Sequence, residues 1–166
     1  MRLHYNGVGI SGTGMKLVNY RTGISSVLLS MEVFKRKVYF AAVGVVGGLC
    51  VCNLSSFEVN ILLKNNSESC VAIKTLCEFE NGIAFTDLGD RKVKLFCPAK
   101  KTVKTLLGSG QEGTSDGTDE TCSLTQVHGI SSLEKTLHIG CCGRYHQTSV
   151  RTQWYCVVLT SPGNPL

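Results

Sequence analysis

The chain has 166 residues, 43% hydrophobic and 17% charged, which fits one domain with an N-terminal extension and excludes wholesale disorder. Its net charge of +5 lies wholly in residues 1–52, with six cations against one acid; residues 53–166 carry eleven of each sign, so charge gives no argument for a nucleic-acid partner. Nine cysteines are many for a reducing compartment and point to an oxidising one.

Residues 1–30 open with Gly7-Val8-Gly9-Ile10-Ser11-Gly12, which matches the spacing of a dinucleotide-binding turn. That turn needs a buried strand before it, and only the short, polar Met1–Asn6 precedes it. The segment reads as a glycine-rich extension.

Lys35-Arg36-Lys37 is then followed by fifteen uncharged, mostly apolar residues, Val38 to Cys52. Three cations before an apolar run is the layout of a signal peptide, with Cys50 and Cys52 as the small residues of a cleavage site. As a helix the run would cover about 22 Å, short for a bilayer core of ~30 Å. Residues 31–52 are thus expected to be a signal peptide or signal anchor, 1–30 an upstream extension, and 53–166 a single domain.

In 53–166 the apolar runs are short and β-branched, as in strands of a sandwich or barrel. Phe57–Leu63, Cys70–Cys77, Lys92–Phe96, Cys122–Val127, Thr136–Ile139 and Trp154–Thr160 are the expected strands. Turn residues separate them at Asn65-Asn66-Ser67, Glu80-Asn81-Gly82, Leu88-Gly89-Asp90 and Cys142-Gly143-Arg144. Residues 108–120 hold no apolar side chain and read as a solvated loop. Asn65-Asn66-Ser67 is also a glycosylation acceptor at Asn65.

Seven cysteines follow residue 52 without any C-x-x-C pair, so no metal site or cofactor is expected. Adjacent Cys141 and Cys142 point to opposite faces of a strand and would have different partners. The odd count leaves one thiol free or bridging two chains of a homodimer. The four histidines have no serine or carboxylate in a recognisable elbow, and bridged cysteines are poor nucleophiles, so the chain is read as no enzyme.

Cys77, a nineteen-residue gap, and Val93-Lys94-Leu95-Phe96-Cys97-Pro98 together resemble the first two cysteines of the SRS surface-antigen domain of coccidian parasites. Thr121-Cys122-Ser123-Leu124, Ser131-Ser132-Leu133, Leu137–Cys141 and Trp154–Thr160 are similar to its later segments, so the likeness spans about residues 70–160. The six-cysteine domains of malaria parasites share the architecture. The resemblance implies an all-β, disulfide-linked antiparallel β-sandwich with Cys77 paired to Cys156 and Cys97 to Cys141. The family's third cysteine is absent, which leaves Cys122 to pair with Cys142 or Cys70.

The function so implied is a secreted or surface antigen that attaches to host cells and meets host antibodies. Host glycans or receptors would be its ligands, and the glycan-binding candidates are Arg91, Lys92, Lys94, Lys100, Lys101 and Lys104. On a period-two strand Lys92 and Lys94 share a face. An apolar tail of the kind a glycolipid anchor requires does not follow Thr160. The alternative is an immunoglobulin-like receptor or ligand fragment, suggested by Val93-x-Leu95-x-Cys97; no tryptophan follows Cys97 at the usual distance.

Overall fold

The computed structural model describes residues 3–5, 8–11, 16–19, 24–44, 47–56, 58–113, 115, 117, 119–133, 136–144 and 152–160. The strands are β1 (Leu3–Tyr5), β2 (Val8–Ser11), β3 (Lys16–Asn19), β4 (Ile24–Phe34), β5 (Lys37–Gly44), β6 (Gly48–Asn53) and β7 (Val59–Lys64). They continue as β8 (Ile73–Phe79), β9 (Gly82–Asp87), β10 (Lys92–Cys97), β11 (Thr102–Leu107), β12 (Gln126–Leu133), β13 (Thr136–Arg144) and β14 (Thr152–Thr160). One 3-10 turn lies at Asp119–Thr121.

Each strand pairs with the next in chain order, so the described residues form three antiparallel sheets: β1–β7, β8–β11 and β12–β14. The fold is all-β and its antiparallel sheets pack face to face, as the sequence leads one to expect. The middle sheet is covered on both faces. Leu76, Ile83, Phe85 and Phe96 meet Phe34, Tyr39, Ala41 and Leu49 of the first sheet. On the other side Cys77, Phe79, Ala84, Val93 and Leu95 meet Val127, Leu137, Ile139 and Cys141 of the third. Burial on both faces leaves β9 with no exposed residue at all.

Residues 31–52, expected as a leader, lie in strands of the first sheet in this structure. They supply the end of β4, all of β5 and most of β6, and Ala41, Leu49 and Cys50 are fully buried. Two glycines make the difference. Gly47-Gly48 breaks the apolar run into two strands, and Gly48, at φ +135°, lies so close to β7 that a Cβ there would sit 1.9 Å from the Leu63 carbonyl oxygen. The boundary expected at residue 53 falls at the last residue of β6.

The sheets repeat one design. β4, the fourth strand of the first sheet, and β8 and β12, which open the second and third, each begin an up-and-down meander and carry a β-bulge, at Leu28/Ser30, Ile73/Leu76 and Val127/Gly129. Each meander then makes a two-residue hairpin, between Phe34 and Lys37, Phe79 and Gly82, and Leu133 and Thr136. Lys35 and Arg36 both take φ near +50 to +60°, as the tight turn requires without the usual glycine. Phe40, Phe85 and Ile139 occupy the same position after these turns. Bulges increase the local twist. Across the layers β4 and β5 approach β8, and β12 approaches β8 and β9.

Candidate functional site

The bulges in the first strands also position polar groups. In β8 the bulge leaves Lys74 and Thr75 without ladder partners before Leu76 pairs with Phe85; Thr75 N–H donates to Thr86 Oγ1 at 3.1 Å and Leu76 N–H to Ser30 Oγ of β4 at 3.0 Å. One position earlier, Lys74 Nζ contacts His128 Nδ1 of β12. β4, β8 and β12, one strand from each sheet, are therefore tied together by side chains.

Beside these ties lies an open cavity of about 510 Å³, lined by Glu32 of β4, residues 76–80 of β8 and its hairpin, and Ile130, Ser131 and Ser132 of β12. Its accessible lining is mainly polar: Leu76 and Phe79 are buried behind it, Ile130 is half-buried, and Glu32, Glu78 and Glu80 make it acidic. Glu80 meets Lys104 Nζ at 3.5 Å, whereas Glu32 and Glu78 take part in no ion pair among the described residues. Glu32 is felt nearby. Burial first, and then the Glu32 charge, push the Cys77 thiol up to about 12, with a Ser132 hydrogen bond acting the other way. A thiol held protonated at neutral pH is no nucleophile. No group of three or more His, Cys, Asp or Glu suited to a metal occurs among the described residues.

The six cations expected to bind glycans are not one patch. Lys94 is buried at 6% exposure; its Nζ donates to Asp87 Oδ2 at 2.9 Å and to the Ser69 carbonyl at 3.1 Å, and pairs with Asp90. It does not share a solvated face with Lys92, because Asp87 faces it from β9 and neutralises it inside. Arg91 pairs with Glu112 at 3.0 Å, and Lys104 with Glu80. Lys100 and Lys101 remain exposed in the β10–β11 turn, at the opposite end of β10 from Arg91 and Lys92. Part of the 108–120 loop is likewise tied down, by Arg91–Glu112 and by Ser115 N–H donating to Ser123 Oγ at 2.8 Å. Asn65, in the turn just after β7, is half-buried, its side-chain oxygen accepting from Ile73 N–H at 3.3 Å.

Cys77 and Cys97 are free thiols, so the expected Cys77–Cys156 and Cys97–Cys141 bridges are not formed in this structure. Cys77 faces the third sheet from β8, and β14, which carries Cys156, lies at that sheet's far edge from β12. The side chains of Cys142 and Cys156 lie outside the described residues. Burial pushes the Cys50 thiol up to about 11. Alkylation of the native protein at about pH 8 should therefore modify half-buried Cys97 and spare Cys50 and Cys77. Peptide mapping reads this directly, and recovery of a bridged Cys77–Cys156 peptide would contradict the structure.

No family model and no curated protein matches the chain. Among solved structures it is similar to a structural genomics protein of unknown function from Bacteroides thetaiotaomicron. The match has a TM-score of 0.58 and 15% identity, and covers 81% of this chain and 38% of that one. The likeness is one of fold. The chain spans about two fifths of the solved chain's length. Among the described residues no helix is long and apolar enough to cross a membrane.

Proposed function

We propose that the protein is a non-catalytic binding module whose cavity, where β4, β8 and β12 converge, takes a cationic segment of a partner protein. The observation that carries this reading is the presence in the cavity of Glu32 and Glu78, two carboxylates that no described cation neutralises. A lysine or arginine entering there would lay its aliphatic stem on half-buried Ile130 and bring its charge to the carboxylates. Each exposed pair contributes only ~0.2–1 kcal/mol, so affinity would be modest and salt-sensitive.

Titration with a lysine- and arginine-rich peptide tests the reading. Joint reversal of Glu32→Lys and Glu78→Lys should weaken binding about tenfold or more, and added salt should weaken it in the unaltered protein. Binding indifferent to both changes would reject the cavity as the site.

The attachment of an extracellular antigen to anionic glycans is a second reading, supported by the sequence resemblance and by the exposed Lys100 and Lys101. Heparin-like chains should then lose affinity when Lys100→Glu and Lys101→Glu are combined, while Lys94→Met should act on stability and not on binding.

A further inference from the structure

The second and third sheets each seat one face on the sheet before them. In the second sheet that face carries Leu76, Ile83 and Phe85, which are 5%, 0% and 0% exposed. Counted from the first hairpin, the same positions in the third sheet are Ile130, Leu137 and Ile139, packed on the Phe79 and Ala84 face of the second. In the first sheet they are Met31, Val38 and Phe40, which look away from the second sheet. Met31, Val33 and Ile61 stand 47%, 56% and 43% exposed on that face, where Leu76 is covered in the next sheet. Phe40, Ala42 and Cys50 form there a small cluster apart from the main core. The first sheet has the seating face and lacks a described sheet to seat on.

We propose that this face seats the third sheet of a second copy of this chain, packed head to tail, and that two copies close a ring. β4, β8 and β12 lie next to one another across the stack, and radial arrays of four-stranded meanders close at about four to eight sheets. Two copies, each contributing the β1–β7, β8–β11 and β12–β14 sheets, bring six. The solved structure of similar fold is a chain about twice as long, since 81% of this chain matches 38% of that one. The third sheet has three strands where β8–β11 has four, and the outer edge of β14 carries no partner strand among the described residues. A head-to-tail contact made twice about a two-fold axis leaves neither face open. The proposal stands on this apolar face alone and does not depend on the cationic ligand or on any bridging cysteine.

Sedimentation velocity and native mass spectrometry test it on the full chain. The expected result is a two-copy species. Combining Met31→Lys with Val33→Lys should raise its dissociation constant about a hundredfold, and Val71→Lys, 37% exposed outside the face, should leave it unchanged. Hydrogen exchange on the unaltered protein gives an independent reading: protection of residues 29–34 and 37–43 should rise with concentration. A single-chain mass at about 50 µM, a dimer indifferent to the two lysines, exchange independent of concentration, or open-ended polymers would each overturn the proposal.

Discussion

Replacing Asp87 by alanine is expected to destabilise the fold by about 3–5 kcal/mol, the usual cost of stripping one partner from a buried ion pair. Asp87 is fully buried. It accepts from Val71 N–H at 2.9 Å, Ala72 N–H at 2.7 Å and Gly89 N–H at 3.3 Å, besides Lys94 Nζ. One carboxylate thus pins the β7–β8 connection to the β9–β10 turn and neutralises a buried cation. The substitution would leave backbone donors unsatisfied and Lys94 with Asp90 alone as counter-ion. Lys94→Met in the same background should restore part of the loss, since it removes the charge and not the orphaned N–H groups. Urea unfolding measures both, and a cost below about 1 kcal/mol for Asp87→Ala would show that the hub does not hold these loops.

The hub also has a pH signature. Burial pushes the Lys94 pKa down, but hydrogen bonds and charges from Asp90 and Asp87 outweigh it and leave the pKa above 10.5. A lysine whose folded pKa exceeds its unfolded one contributes stability that is complete below the unfolded value. That contribution should fade as pH rises through the folded value, and Lys94→Met should remove this alkaline limb from the stability profile.

Phe85→Ala should cost about 3–5 kcal/mol, the range for a fully buried phenylalanine. Phe85 has no exposed surface and packs with Phe34, Tyr39 and Phe96 between the first and second sheets. Truncation there opens a cavity between two sheets that cannot both collapse around it. Val33→Ala, at a residue 56% exposed on the unaltered chain, should change the stability of the single chain by less than about 0.5 kcal/mol. The contrast separates a packed interlayer face from an open one, and equal costs at the two sites would contradict the layering.

The strands near β8, β10, β13 and β14 were legible because β-branched runs lay between turn residues. β9 was not, because Gly82-Ile83-Ala84-Phe85-Thr86-Asp87 is buried on both faces and shows no alternation, although the turns at Glu80-Asn81-Gly82 and Leu88-Gly89-Asp90 bracketed it. The run from Val38 to Cys52 is ambiguous for a related reason. Uninterrupted apolarity is shared by targeting segments and doubly covered strands, and only Gly47-Gly48 marks the break. The repeat is masked by divergence: over a 45-residue offset only a few positions agree, among them Phe40 with Phe85, Gly44 with Gly89 and Cys52 with Cys97.

Local pattern misplaced the charges most. Lys94 reads as surface because it alternates with Val93 and Leu95, and nothing nearby in sequence announces that Asp87 will meet it across the hairpin. Arg91 and Lys104 are likewise taken by acids that the chain brings in from residues 112 and 80. The cavity is assembled from Glu32, Glu78 and Ser132 on three different strands, and no short motif carries it.

Hydrogen exchange of the chain with and without a lysine- and arginine-rich peptide tests the central claim most directly. The account predicts slowed exchange confined to residues 30–34, 76–80 and 130–133, lost when Glu32→Lys and Glu78→Lys are combined. Protection centred on residues 91–104, or none at saturating peptide, would contradict it.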